Sequence, residues 1–462
     1  MIAAQEIVES ALAAAKTDGC VVIVSERSET NLRWANNSLT TNGQMTSRSV
    51  AVVSTVAAGD GTAVGVVSRS VASASDVQNL VRDSERAARS APPADDAAPL
   101  VEPYQVDDDF GGAPSTTSVD VFAGLTGPLG DALRTAESNG RALFGFAEHI
   151  VTSTYLGSST GLRRRFDQPT GRLELNAKSA DYTRSAWDGA PTRDFSDVDV
   201  AARIDALNTR LDWAAERIDL PAGRYETLLP PSAVADLMIY LYWSAGARDA
   251  DEGRSVFSAR EGEGTRVGEQ LSPLPVSVYS DPTVPGVECA PFAIATSSFG
   301  GIQSVFDNGA GIEHTDWLTD GVLTDLIRTR AWAERSGAEA RPAVDNLIVD
   351  AGGHDTVEEM IQRTERGLLL TTLWYIREVD PQTLLLTGLT RDGVYLVENG
   401  EVRGAVNNFR FNESPVSLLG RLSEVGRSQA TLPREWNDYF TRTVMPAMRI
   451  PDFNMSTVSA AS

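Results

Sequence analysis

The feature that most constrains the fold is a series of short β-branched segments that occurs twice in the first half of the chain, each time between helices. Gly, Asn and Asp separate the segments, which is typical of antiparallel strands. The strands are predicted over residues 20–25, 30–35, 47–56 and 61–68, and then over 143–156, 163–167, 171–179 and 182–188. The flanking helices are predicted over 1–19, 76–90, 119–138 and 198–217. We therefore expect two helix-on-sheet units that form a loose duplication.

Prolines mark the end of this half. Pro221 and the pair Pro230-Pro231 interrupt the patterns on both sides, because proline breaks helices and strand ladders. A helix is predicted over 232–246, and helices over 324–335 and 433–441 follow among short strands and Gly-rich turns. The predicted fold class is α+β: an N-terminal helix-on-sheet domain over 1–220 and a mainly β C-terminal domain over 221–462.

Charge and hydropathy exclude several classes of partner. With Lys+Arg 40 against Asp+Glu 63 the net charge is -23, which repels nucleic acids and anionic membranes. The basic cluster Arg163-Arg164-Arg165 is expected to be a solvated face. The longest apolar stretches, 237–247 and 368–376, are shorter than the roughly 20 residues that span a bilayer. We expect no nucleic acid partner, no membrane partner and, without a signal-peptide pattern, a cytoplasmic protein.

The histidines do not form a recognisable metal motif. A zinc peptidase needs at least two imidazoles or equivalent ligands close together, and a carboxylate that activates water. His149, His314 and His354 lie far apart in the sequence, and no two fall within a helical turn or two. No metal site is predicted from these residues. An unrecognised site, such as His314 with Glu313 and Asp316, stays open as an alternative.

Residues 157–161 match the G-x-S-x-G pattern of a serine nucleophile on a strand-to-helix turn. The segment that follows is strand-like, with three arginines and no helical periodicity. The glycines therefore predict a β-hairpin turn.

Several segments resemble the TldD/TldE family of metallopeptidases, in which TldE is also called PmbA. Residues 31–39, 155–161 and 251–258 are similar to family segments, and the most specific matches are 367–371, 387–393 and, strongest, 397–401. In the catalytic TldD branch a helix carries HExxxH, and a cysteine near the C-terminus completes the metal site. Here the corresponding helix reads Ala-Asp-Leu-Met-Ile-Tyr-Leu-Tyr-Trp over 235–243, and the strand at 445–453 has no cysteine. The resemblance therefore implies a TldE-like chain, from which no catalytic residue or metal ligand can be carried over.

The resemblance implies a non-catalytic subunit of a cytoplasmic TldD/TldE heteromeric metalloprotease that acts on unstructured peptides. The zinc or iron would belong to a TldD-like partner, and this chain would hold no cofactor. Its residues would shape the substrate cleft or the subunit interface, with candidates Tyr240, Tyr242, Trp243, Arg254 and Arg391. Core packing is the alternative for the three aromatic residues. A stand-alone peptide-binding or scaffold homodimer, or a metallopeptidase with an unrecognised site, is the alternative for the whole chain, so whether it is itself an enzyme stays open.

Overall fold

The computed structural model describes residues 2–71, 73–104, 109–299, 301–391 and 393–460. In the first half of this part of the chain the helices are α1 (Ala4–Ala14), α2 (Ala74–Ser90), α3 (Ala123–Ser138) and α4 (Val200–Trp213). The strands are β1 (Gly19–Ala35), β2 (Ser38–Ala58), β3 (Gly61–Arg69), β4 (Arg141–Ser158), β5 (Arg163–Ser179) and β6 (Ser185–Thr192). The order helix, three strands, helix therefore occurs twice. Four strands were predicted in each unit, but the predicted strands 20–25 and 30–35 both lie in β1, and 163–167 and 171–179 both lie in β5. Residue 1 of the first predicted helix lies outside the described residues.

The six strands form one antiparallel sheet in the order β3-β2-β1-β4-β5-β6. The two units meet where β1 pairs with β4, in a register that runs without a break from Val21 opposite Ser158 to Trp34 opposite Gly145. Strands alternate their side chains between two faces. Even-numbered residues of β1 pack against α1 and α2 at one end and against α3 and α4 at the other, so all four helices cover the same face.

The opposite face of this sheet has two different environments. Over the first unit, Val21 and Ile23 form a buried cluster with Phe292, Val305 and other residues of the C-terminal half. Over the second unit, the side chains of β4 and β5 on this face are mainly polar and half-buried. The second half of the sheet therefore presents a polar face to the C-terminal half of the chain.

Two further sheets make up the C-terminal half. The helices there are α5 (Pro231–Trp243), α6 (Ala247–Asp251), α7 (Arg330–Ser336), α8 (Val357–Gln362) and α9 (Pro415–Gly420). The strands are β7 (Arg217–Ile218), β8 (Gly223–Leu229), β9 (Ser277–Ser280), β10 (Thr315–Thr319), β11 (Val322–Leu323), β12 (Leu347–Asp350), β13 (Arg366–Leu370), β14 (Trp374–Asp380), β15 (Leu385–Leu389), β16 (Val394–Glu398), β17 (Glu401–Val406), β18 (Phe409–Glu413), β19 (Glu424–Val425), β20 (Gln429–Thr431), β21 (Thr443–Met445) and β22 (Met448–Val458). One sheet has the order β11-β10-β9-β12-β21-β20, and the other β14-β15-β18-β22-β8-β13-β16-β17-β7 with β19 beside β22.

Helix α5 lies in the largest apolar cluster, together with residues of both C-terminal sheets, such as Val278 and Trp317 of one and Leu368 and Phe411 of the other. Nearly all of its residues are buried, as expected for a helix that is apolar on every side. The α+β class is confirmed. Since β7 already joins a C-terminal sheet, the first sheet and its helices end before residue 217.

Three local predictions differ from the structure. Residues 433–441 form turns, and the helix predicted over 324–335 is restricted to α7, which begins after the N-cap Thr329. The arginine cluster is not a solvated face. Arg164 is 4% exposed and stacks on the rings of Tyr104 and Phe292. Aromatic side chains distant in sequence therefore cover an arginine that the local pattern places in solvent.

One other prediction holds. Residues 157 and 158 end β4, and residues 159–162 form the hairpin connection to β5, with Gly161 at φ +102°, where a left-handed backbone favours glycine. In the described part of the chain, no helix is long and apolar enough to cross a membrane.

Candidate functional site

Asp236 is the carboxylate inside the otherwise apolar helix α5, and its side chain is fully buried. Its Oδ1 accepts the backbone N–H of Glu435 at 2.8 Å and its Oδ2 that of Arg434 at 3.2 Å. Burial raises the pKa of Asp236 well above its usual range, and the backbone N–H donors offset part of that shift. The carboxylate therefore fixes the segment 433–442, here called the junction segment, to α5.

The junction segment also contacts the polar face of the N-terminal sheet. Arg172 of β5 pairs with Asp438, and Arg442 Nη1 donates to Thr170 Oγ1 at 3.0 Å. Trp436 Nε1 donates to the backbone oxygen of Asp236 at 2.9 Å. The segment thus connects the buried helix of one domain to the sheet of the other.

Glu435 connects the junction segment to the edge strand β14. Its side chain is 9% exposed and accepts the backbone N–H groups of Tyr375 at 3.0 Å and Ile376 at 3.1 Å. The Tyr240 hydroxyl of α5 interacts with the backbone of Glu378 farther along the same strand. Both side chains occupy backbone groups of a strand edge that would otherwise be open to pairing.

Arg434 lies between two tryptophans. Its guanidinium carbon is 4.5 Å from the ring centroid of Trp374 and 4.9 Å from that of Trp187. Nη1 lies 3.3 Å from Glu174 Oε2, which also accepts Trp187 Nε1 at 3.1 Å. Burial lowers the pKa of Arg434. Stacking of a guanidinium on aromatic faces is a stabilising arrangement when water is excluded, so Arg434 joins the two domains.

A cleft of about 420 Å³ lies between the polar face of the N-terminal sheet and the junction segment. Its floor consists of side chains of β4 and β5: Ile150, Thr152, Thr154, Phe166, Gln168 and Thr170. Its other side includes Asn437, Thr441 and Tyr439, whose ring is 76% exposed. Neutral hydroxyl, amide and apolar groups predominate on the floor, and charged residues lie at the margins of the cleft.

Charged pairs close one end of this cleft. Glu148 lies 3.2 Å from Arg172, and Arg27 lines the same end. Burial raises the pKa of Glu148, and the adjacent Arg172 opposes this shift. Arg172 also donates to the backbone oxygen of Asn437 at 3.2 Å. The arginine thus holds the floor and the junction segment at a fixed separation.

The candidates of α5 occupy two environments. Tyr242 is 3% exposed, and its hydroxyl donates to Val344 O and accepts Val344 N–H, so it packs in the core. Tyr240 and Trp243 are half-buried and pack on Trp436, with ring centroids 5.6 and 5.2 Å away. These two lie beside the junction segment, where a role in the cleft or an interface stays a prediction.

The two candidate arginines lie apart. Arg254 follows α6, is 53% exposed and pairs with Asp249 and Glu252. Arg391 lies between β15 and β16, and its guanidinium carbon is 5.8 Å from the Trp374 centroid. Only Arg391 therefore belongs to the group around Arg434.

The histidines have separate surroundings. His149 is buried and contacts Thr117 Oγ1 and Arg193 O, both at 2.7 Å, while His354 is exposed. His314 lies 3.1 Å from Asp316 and 3.4 Å from Asp281. Within the described ranges, no group of three or more His, Cys, Asp or Glu residues could hold a metal ion.

Sequence reasoning missed the residues that build the junction: Asp236, Trp374, Arg434 and Glu435. Asp236 carried a usable signal, because a carboxylate in an apolar helix is buried only with partners that satisfy it. The other three carry no local signal, since the contacts of Arg434 and Glu435 with β14 join residues that lie 58 or more positions apart.

The C-terminal half of the chain matches a known protein family. The family model described as PmbA/TldA metallopeptidase C-terminal domain matches residues 222–457, about half of the 462 residues. No curated protein matches the chain.

Solved structures share the whole fold. TldE from Thermococcus kodakarensis has a TM-score of 0.79 at 15% identity, over 97% of this chain and 99% of that one. A putative modulator of a DNA gyrase from Thermotoga maritima has a TM-score of 0.75 at 18% identity, over 97% and 99%. A putative modulator of DNA gyrase from Bacteroides thetaiotaomicron has a TM-score of 0.74 at 14% identity, over 98% of each chain. At these identities the likeness shows the fold alone.

Proposed function

The chain belongs to the PmbA/TldD metallopeptidase family, and from that premise we propose that it is a TldE-like, non-catalytic subunit of a two-chain peptidase. A TldD-like partner would hold the zinc or iron and carry out hydrolysis. This chain would form one wall of a cleft for unstructured peptides. The pair would work in the cytoplasm, where the two buried free thiols, Cys20 and Cys289, stay reduced.

The proposal depends mainly on which side chains of α5 could act as metal ligands. A catalytic metal site of this family would need imidazole, thiolate or accessible carboxylate ligands. Helix α5 contains no histidine or cysteine, and both oxygens of its carboxylate, Asp236, already accept backbone N–H groups. These residues do not fit the implied metal. The helix has a packing role that leaves no ligand available.

The junction supports the second part of the proposal. An extended peptide binds through backbone hydrogen bonds and through shallow contacts that tolerate many side chains. The cleft above β4 and β5 offers Thr, Gln and Tyr side chains of this kind along a rigid sheet. Because Asp236 holds the junction segment near its start and Arg172 and Thr170 hold its middle and its end, the cleft exists before a ligand arrives. A preformed surface reduces the entropy cost of binding.

Co-expression with a TldD-like protein tests the proposal. We expect the two chains to co-purify and the pair to hydrolyse a fluorogenic unstructured peptide, whereas this chain alone does not. A control uses the pair with the first histidine of the partner's HExxxH replaced, which keeps the assembly and loses hydrolysis. Hydrolysis by this chain alone contradicts the proposal. A stable homodimer that ignores the supplied partner supports the stand-alone alternative instead.

A further inference from the structure

The surroundings of the Trp374 ring contain more donors than acceptors. Arg434 stacks at 4.5 Å from the ring centroid and Arg391 at 5.8 Å. Trp374 Nε1 is buried and has no hydrogen-bond acceptor among the described residues. Two guanidinium groups and an indole N–H therefore share one location.

The three carboxylates around Arg434 are already engaged by other donors. Glu174 pairs with Arg434 and accepts Trp187 Nε1. Glu435 accepts two N–H groups of β14 and pairs with Arg377 at 3.3 Å. Asp236 accepts the N–H groups of the junction segment. Arg391 makes no hydrogen bond or ion pair within the described residues, so one positive charge lacks a counter-charge.

The backbone holds Arg391 beside the ring. Its φ is +38°, in the left-handed region that non-glycine residues rarely adopt. Its side chain is half-buried, so a ligand from solvent can reach it. The nearby cation also affects Arg434, whose pKa is lowered by burial first and by Arg391 in addition. A negative group at this position would relieve the repulsion between the two arginines.

We propose that Arg391 and Arg434, stacked on Trp374, form a recognition site for a carboxylate of the peptide substrate. The inference rests on the proposed function, because the peptide supplies this group. A monoanion fits better than a phosphate dianion, since Glu174 and Glu435 lie close by and, among the described residues of this group, Arg391 alone has no ion pair. The carboxylate is either the C-terminal group of the peptide or an Asp or Glu side chain.

Fluorine NMR of the full chain labelled with 5-fluorotryptophan tests the site directly. The chain has 8 tryptophans, and Trp374→Phe identifies the Trp374 signal. N-acetyl-glycyl-alanine, which has a free carboxylate, is titrated at constant ionic strength against its C-terminal amide. We expect the carboxylate compound to shift the Trp374 signal saturably and the amide to leave it unchanged. A Trp374 signal that stays constant up to the solubility limit overturns the proposal.

Two variants distinguish specific carboxylate binding by Arg391 from a general effect of positive charge on the protein. Arg391→Gln is expected to abolish the shift while the other tryptophan signals keep their positions, which shows that the fold is intact. Arg366→Gln, which removes a 65% exposed arginine of β13, is the matched control and is expected to keep the shift. Loss of the shift in both variants, or in neither, contradicts a specific role for Arg391.

Longer peptides distinguish the two sources of the carboxylate. Three octapeptides of one unstructured sequence are compared for binding to the pair with a TldD-like partner: a free C-terminus, an amidated C-terminus, and an amidated C-terminus with an internal Glu. We expect the amidated peptide without Glu to bind about fivefold more weakly than whichever carboxylate form is recognised. If the dipeptide shifts Trp374 but no octapeptide binds or is cleaved, the proposed function fails and the carboxylate site stands. If the octapeptides bind equally and Trp374 does not respond, only the carboxylate site fails.

Discussion

Asp236 and Glu435 lie 199 positions apart in the sequence, yet Oδ1 of Asp236 accepts the backbone N–H of Glu435 at 2.8 Å. This hydrogen bond is fully buried on the Asp236 side. It fixes the position of Glu435, whose own carboxylate then holds the start of β14. One buried carboxylate therefore determines the placement of a second, and both shape the domain junction.

Replacement of Asp236 by Asn is expected to destabilise the fold by about 3 kcal/mol. The side-chain nitrogen of asparagine cannot accept a hydrogen bond, so the buried backbone N–H of Arg434 or Glu435 loses its acceptor. Urea unfolding followed by circular dichroism measures the loss. Asp131→Asn is the control, since Asp131 is 75% exposed on α3, and it should change the stability by less than about 0.5 kcal/mol. An Asp236→Asn variant as stable as the wild type contradicts the buried contact.

Replacement of Glu435 by Gln is expected to release the edge of β14. Glutamine has one acceptor oxygen for the two N–H groups of Tyr375 and Ile376, so at least one loses its partner. Hydrogen exchange at these two amides should accelerate by about fivefold or more. Glu401→Gln, at a side chain that is 70% exposed on β17, should leave their exchange unchanged. Equal exchange in both variants would show that Glu435 does not protect this edge.

Asp307 makes the stability depend on pH. Burial raises its pKa from 3.8 to about 6, although the backbone N–H of Arg330 opposes the shift. The folded state thus binds the proton more tightly than the unfolded state. The resulting stabilisation is complete below about pH 4 and is lost as the pH rises through about 6.

The variant Asp307→Asn checks this dependence, because asparagine stays neutral at every pH. The free energy of unfolding of the variant minus that of the wild type should increase by about 2.4 kcal/mol between pH 4 and pH 7, and then stay constant. Urea unfolding at unit steps of pH measures the difference. If the free energies of unfolding of the two proteins change in parallel with pH, Asp307 has the same pKa in the folded and unfolded states.

Replacement of Arg254 by Ala is expected to leave the fold intact, because its ion pairs lie at the surface and such pairs contribute less than about 1 kcal/mol. If Arg254 contacts the partner, the variant should weaken association of the two chains by about fivefold. If it contacts the peptide, the variant should raise the KM of the pair by about fivefold. Arg403→Ala, at a 40% exposed arginine of β17, is the control. Unchanged association and unchanged kinetics would remove Arg254 from the wall and the interface.

The purified chain is expected to bind zinc and iron only substoichiometrically, since α5 offers no available ligand. Dialysis against trace metals followed by elemental analysis measures the content. One equivalent of metal that is lost in His314→Ala would support the alternative site at His314, Asp316 and Asp281, and would contradict a purely non-catalytic chain.

The sequence predicted the elements whose signals are local. The proline pair Pro230-Pro231 and the apolar run after it located α5. The glycines of 157–161 indicated the hairpin, because the conformation of a turn depends on the residues within it. The junction segment was predicted as a helix and forms turns instead. Its Phe440 N–H does bond to Trp436 O, so a single turn forms, but the N–H groups of Arg434 and Glu435 go to Asp236 and not to carbonyls of their own segment.

The candidate site could be predicted only where one residue carried the information. Arg391 was named from a resemblance, and its position beside Trp374 and Arg434 depends on the pairing of β14, β15 and β18. Likewise Arg164 is buried by Phe292, 128 residues away, so no local pattern could indicate its burial. Long-range contacts decide both cases.

The repeated unit of the N-terminal domain has a consequence for how such a surface can evolve. The two copies share the helix-covered face, which gives the doubled sheet a continuous core. Their other faces differ: that of the first copy packs on the C-terminal half, and that of the second copy carries the floor of the cleft. Substitutions at floor positions such as Thr152 and Thr154 can thus change what the cleft binds, whereas Thr170 and Arg172 must stay because they hold the junction segment.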